Sequence, residues 1–287
     1  MGLELYLDLL SQPCRAIYIF AKKNGIPFQL RPVELRQAEH LSEAFAQVNP
    51  LKKVPALKDG DFTLAESVAI LLYLTHKYKV PDHWYPQDLQ ARARVDEYLA
   101  WQHTALRRSC LRALWHKLTE RERERERDLP SADSFSRWPQ WPGLGQAEAR
   151  SQEPGARSFF LVFHVMFPVF LGELVSPELL AATLAELEVN LQALEDTFLQ
   201  NKVFLAGPHV TLADLVAITE LMHAVGAGCQ VFEGRPKLAA WRQRVEAAVG
   251  EDLFREAHEV ILKAKDSAPA DPTIKQKLMP GVLAMIR

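Results

Sequence analysis

Strand-like alternation of apolar and polar residues is confined to about the first 80 positions, and beyond Pro81 and Pro86 the apolar residues recur at helical spacing instead. A period of two and a period of 3.6 bury their apolar faces in different ways, so the chain reads as two domains of unlike architecture. In the first, residues 3 to 9 alternate, Ser11-Gln12-Pro13 opens a helical stretch to Asn24, and Gly25 ends it. Residues 27 to 33 fit a second strand and 41 to 47 a short helix. Val54-Pro55-Ala56-Leu57 followed by Asp59-Gly60-Asp61 fits a hairpin. A helix over 66 to 78 completes the order β-α-β-α-β-β-α, an α/β layer over 1–80 whose first crossover is expected to be right-handed.

A linker, 81–87, leads to an all-α region, 88–287. The spacing predicts one helix over 88 to 117, with Val95, Leu99, Leu106, Cys110 and Leu114 along one face. Ser176 as cap and Pro177 at the first helical position open another, whose stripe is Leu180, Leu184, Leu187, Leu191, Leu194 and Phe198. These two helices are expected to pack antiparallel. Thr211-Leu212-Ala213-Asp214 carries the polar pair of a capping box, with Val210 and Leu215 as a hydrophobic staple, and predicts a buried helix.

Residues 118 to 164 differ in character and read as an insert. Glu and Arg alternate from Glu120 to Arg127, placing opposite charges at i,i+3 but like charges at i,i+4, so a helix there gains little. Pro130, Pro139, Pro142, Gly143, Gly145, Pro154 and Gly155 then give the composition of a disordered loop. At the codon level, repeated GAGAGA encodes alternating Glu and Arg, and Ser158-Phe159-Phe160-Leu161-Val162-Phe163 can be written almost wholly in pyrimidines. The segment therefore reads either as a translated intron or as a functional insertion.

Thirty-four Lys and Arg against 36 Asp and Glu leave a net charge of −2, no field for nucleic acid or an anionic membrane. Cys14, Cys110 and Cys229 are odd in number and far apart, which suits a reducing compartment better than a disulfide framework. No metal-ligand spacing stands out, the N-terminus lacks a signal-peptide pattern, and no apolar run approaches the roughly 20 residues that span a bilayer. A cytoplasmic location is expected.

Taken by position alone, Ser11 is a helix cap, and Cys14 shares helical spacing with Ile17 and Ala21 and belongs to packing. Glu66-Ser67 read as a cap and a first-turn residue. In combination, however, the first strand leading into Ser11-Gln12-Pro13, then Lys53-Val54-Pro55, Glu66-Ser67 and Thr211-Leu212-Ala213-Asp214 resemble a theta-class glutathione transferase. The resemblance covers residues 1 to 117 and 165 to 287. It implies a thioredoxin-like N-terminal domain on an all-helical C-terminal domain, a homodimer, glutathione as co-substrate, and no metal or nucleotide.

The resemblance also implies roles. Ser11 donates to the glutathione thiolate. Val54, before a cis proline, pairs its backbone with the cysteinyl unit. Ser67 binds the γ-glutamyl carboxylate at a helix N-terminus and Glu66 the α-amino group. His40 and Lys53 hold the glycyl carboxylate. Arg107, Leu111 and Trp115, four residues apart, become candidates for the electrophile pocket. Small electrophiles are then the partners, haloalkanes and epoxides among them, with peroxidase activity on organic hydroperoxides starting from the same thiolate. The stretch 273 to 287 resembles the extension that covers such a site, opened here by Gly281. Two alternatives stand beside the enzyme: a noncatalytic binding module of the same fold, and an isoform inactivated by an insert that begins three positions after Trp115.

Overall fold

In the computed structural model of the chain, residues 2–127 and 176–263 are described, with 118, 119 and 121–127 described by their backbone alone. Strand β1 (Leu3–Leu7) buries Leu3, Leu5 and Leu7 and leaves Glu4 and Tyr6 partly exposed, as its alternation requires. It pairs in parallel with β2 (Gln29–Pro32) and antiparallel with β3 (Ala56–Asp59), which forms a hairpin with β4 (Phe62–Ala65). The sheet order is β2-β1-β3-β4. Helix α1 (Gln12–Lys23) connects the parallel pair and stops where Gly25 takes a φ of +62°, a value side chains with a Cβ disfavour. The short α2 (Glu43–Ala46) is capped by the Ser42 hydroxyl, and α3 (Ser67–Tyr78) packs against α1. The element order over the first domain is the expected one.

The second domain departs from expectation at its first helix. The stripe from Val95 to Leu114 is buried throughout, yet the backbone breaks at Ala105 (φ −106°, ψ −87°) into α4 (Leu89–Thr104) and α5 (Leu106–Arg127). No Gly or Pro marks the break in the sequence; it lets both halves pack on the same central helix, α7 (Leu212–Gly226). Nor does the backbone change character at residue 118: α5 runs on through the Glu-Arg alternation to Arg127. The rest of the insert and the stretch 273 to 287 lie outside the described residues.

Helix α6 (Pro177–Ala193) starts on the expected cap, Leu179 N–H donating to Ser176 Oγ at 3.2 Å, and packs on α5. Its stripe continues into a π-helical turn, Leu194–Leu199, closed by Gln200 N–H on Glu195 C=O at 2.7 Å. The wider turn still buries Leu194 and Phe198. Thr211 and Asp214 form the capping box of α7, nearly every residue of which is buried, flanked by α8 (Pro236–Val249) and α9 (Glu251–Leu262). Helix α1 also packs on α7 and α9, so the two domains share one core.

That core holds neutral histidines. His258 on α9 is fully buried, its Nδ1 2.7 Å from Phe254 C=O, and burial, with the Arg15 cation adding, pushes its pKa from 6.5 to about 3. Burial likewise depresses His223 on α7. Between those limits the unfolded chain binds the proton and the folded chain does not, so stability is full above pH 6.5 and falls as the pH drops toward 3. For His258 alone the loss between neutral pH and pH 5 is about 2 kcal/mol. Denaturant midpoints at pH 7 and pH 5 read this out, and a His258→Leu variant is expected to lose less between the two; an identical loss would remove His258 as the source.

Candidate active site

The register of the sheet gathers several loops at one end. Tyr6 near the end of β1 lies opposite Ala56 at the start of β3, and Ala56 lies opposite Ala65 at the end of β4. Residues 8–11, 54–55 and 66–67 therefore leave or enter the sheet together, and α1 and α3 both begin there. Val33 N–H on Leu7 C=O at 3.1 Å brings the segment after β2 to the same end. Asp8 joins these loops, its carboxylate accepting from Leu10 N–H and Leu35 N–H, each at 2.8 Å.

Ser11 occupies the cap position of α1 without capping it: its backbone is extended (φ −81°, ψ 126°) and its hydroxyl makes no cap hydrogen bond. Its N–H is fixed by Asp8 C=O at 3.0 Å and its C=O by Arg15 N–H at 3.1 Å. The hydroxyl lies near the Cys14 thiol, whose ionised form it favours. Cys14 itself has no exposed surface, and burial pushes its thiol up to about 12. A thiol so held is no thiolate at neutral pH, which leaves Cys14 in the packing role its spacing suggested.

The Val54-Pro55 peptide is cis, as the resemblance implied. Glu66, exposed at the N-terminus of α3, has φ +67° and ψ 116°, a conformation unfavourable for a residue with a Cβ and sustained only where its surroundings impose it. Ser67 follows, buried in the first turn. Lys53 is exposed, with its C=O held by the buried Asn49 amide at 2.7 Å. His40 is half-buried beside Asp8 and its Nδ1 has no hydrogen-bond partner among the described residues. Burial lowers its pKa and the Asp8 carboxylate opposes that.

Across the domain boundary, Leu111 and Trp115 are half-buried on α5. Arg107, a turn before Leu111, donates from its Nε at 2.7 Å to Glu220 on α7, whose carboxylate has no exposed surface. A buried carboxylate thus pairs with the guanidinium of this candidate pocket residue. Glu220 and Arg15, also fully buried, were not singled out from sequence. The signal was there, since each is a charge inside an otherwise apolar helical run, a placement that requires a partner.

Two family models match the chain: "Glutathione S-transferase, N-terminal domain" over residues 5–76 and "Glutathione S-transferase, C-terminal domain" over 161–248. The human glutathione S-transferase theta-1 is 73% identical over 287 residues, with all of both chains covered. The chain belongs to the theta class of glutathione S-transferases. The bovine theta-1 protein is 69% identical over the same span. Among solved structures, the apo form of human glutathione-S-transferase T1-1 superposes with a TM-score of 0.80 over 100% of each chain, at 73% identity. Human glutathione transferase theta-2, in complex with glutathione and an unknown ligand, does so at 0.74 and 42% identity, again over 100% of each chain. The thioredoxin-like sheet and the helical second domain are those of this family. Among the described residues no cluster of three or more candidate metal ligands occurs, and no helix is long and apolar enough to cross a membrane.

Proposed function

We propose that this theta-class chain transfers glutathione to small electrophiles, with Ser11 donating a hydrogen bond to the reacting thiolate. The observation that carries the reading is the meeting, at one end of the sheet, of a serine that does not cap its helix, the cis Val54-Pro55 peptide and the start of α3 at Glu66. Val54 pairs with the cysteinyl unit as an added strand. Ser67, at the positive end of α3, takes the γ-glutamyl carboxylate, and Glu66 the α-amino group. His40 and Lys53 take the glycyl carboxylate.

The thiolate then attacks the electrophilic carbon: the S–C bond forms as the halide leaves or the epoxide opens. Leu111 and Trp115 supply an apolar wall, and Arg107, paired with Glu220, shapes that wall more than it offers a free charge. Residues 1–80 are thereby the glutathione-binding domain and 88–287, with 118–164 as an insert, the electrophile-binding one. The protein acts as a cytoplasmic homodimer, and peroxidase activity on organic hydroperoxides would proceed from the same thiolate with a second glutathione releasing the disulfide.

Retention on immobilised glutathione, combined with chloride release from a benzylic chloride in the presence of free glutathione, tests this reading. Retention with turnover is expected; retention without turnover would make the chain a binding module.

A further inference from the structure

A guanidinium with no exposed surface has to be compensated on several sides, and Arg15 is such a group. It stands one turn into α1 from Ser11. Its Nη1 donates to Leu9 C=O at 2.9 Å and Leu10 C=O at 3.0 Å, and its Nη2 to Thr219 C=O on α7 at 2.9 Å. Nη2 also lies 3.4 Å from His223 Nδ1. Leu9 and Leu10 form the turn between β1 and Ser11. Since the Asp8 C=O accepts from the Ser11 N–H at 3.0 Å and Arg15 donates to the Leu10 C=O, the peptide plane directly preceding Ser11 is clamped from both ends. The carboxylate of Glu220 attracts Arg15 and is hydrogen-bonded to Arg107 on α5.

We infer that Arg15 is a positioning residue for the proposed transfer, fixing the Leu10–Ser11 peptide so that the Ser11 hydroxyl meets the thiolate, with Glu220 tying Arg15 and Arg107 into one buried cluster. The inference rests on the reading of Ser11 given above. Burial lowers the Arg15 pKa only to about 10, with Glu220 opposing, so the guanidinium remains charged at neutral pH and keeps its grip on both carbonyls. The clamp reaches from α7 to the turn before Ser11, so the second domain takes part in setting the first domain's catalytic geometry. A displacement on the order of 1 Å in such a group is worth up to about 100-fold in rate.

The test is a double-mutant cycle on the full chain, pairing Arg15→Lys with Ser11→Ala and reading kcat and KM for glutathione with a benzylic chloride, alongside melting temperature. Arg15→Lys is expected to lower kcat about tenfold with KM changed less than about threefold. In the Ser11→Ala background the same change is expected to cost almost nothing, because no hydroxyl remains to be positioned. Should Arg15→Lys not fold, Arg15→Gln, uncharged and able to donate to one carbonyl, takes its place in the cycle. Equal fold losses in both backgrounds, or a lower melting temperature with unchanged kcat, would overturn the role of Arg15 and leave that of Ser11 standing. Undiminished turnover in Ser11→Ala would overturn both.

Discussion

Replacing Ser11 by alanine is expected to lower kcat by roughly 10- to 150-fold while KM for glutathione changes by less than about threefold. A free thiol ionises near pH 8.5, and bringing that down by about two units requires roughly 2.7 kcal/mol in favour of the thiolate. A hydroxyl donating to an anion supplies about 1.5–3 kcal/mol, and the N-terminus of α1 about 0.3–1 more. The variant loses the first contribution and keeps the second. Affinity is preserved because the tripeptide is held elsewhere, by Val54, Glu66 and Ser67 among others, and the neutral thiol draws little on Ser11. Stability gives an independent readout: since the Ser11 hydroxyl makes no cap hydrogen bond, its removal should not incur the ~1 kcal/mol typical of a lost cap. Unchanged turnover together with a lower melting temperature would return Ser11 to the role of a cap.

The elements that were legible in the sequence are those whose local chemistry and tertiary environment agree. Gly25 ends α1, Gly60-Asp61 turns the β3–β4 hairpin, Ser176-Pro177 starts α6 and Thr211 with Asp214 starts α7, each by a rule that operates within a few residues. The kink at Ala105 obeys no such rule. Its cause is long-range, in the need of α4 and α5 to meet the same buried helix, and a stripe that keeps helical phase across it from Leu99 to Leu106 conceals it. The continuation of α5 to Arg127 was missed for a related reason: a charge alternation that adds little to an isolated helix can be carried on by a helix already nucleated upstream.

At the site the same division holds. Ser11, Val54, Glu66 and Ser67 sit where strand ends and helix starts meet, so sequence order placed them at one end of the sheet once the register was known. Glu220, 113 positions from Arg107 and 205 from Arg15, was invisible to local spacing, and it changes what Arg107 can do. Spacing put Arg107, Leu111 and Trp115 on one helical face, which is a statement about direction. What that face meets is a matter of tertiary contacts.

The largest stability effect is expected at Asp214, which illustrates how one local motif becomes a junction of the second domain. Its carboxylate has no exposed surface and accepts from four groups: Leu205 N–H at 2.8 Å, Thr211 N–H at 3.0 Å, Thr211 O–H at 2.9 Å and Trp241 Nε1–H at 2.8 Å. Burial pushes its carboxyl up and these four donors pull it back; because every partner donates, the site suits the ionised form. The Thr211 hydroxyl is oriented for this by Ala213 N–H, which donates to it at 3.2 Å. Asp214→Ala strands donors from the loop before α7, from its cap and from α8 at once. The expected cost is about 3–5 kcal/mol, a fall of roughly 10 °C in melting temperature. Thr211→Val removes only one of the four donors and the cap acceptor, and is expected to cost about 1–2 kcal/mol. The comparison discriminates between a cap and a junction. If capping were all that Asp214 and Thr211 did, the two variants would destabilise the chain equally, whereas a carboxylate that also ties Leu205 and Trp241 to α7 makes the loss at Asp214 the larger by about 1 kcal/mol or more.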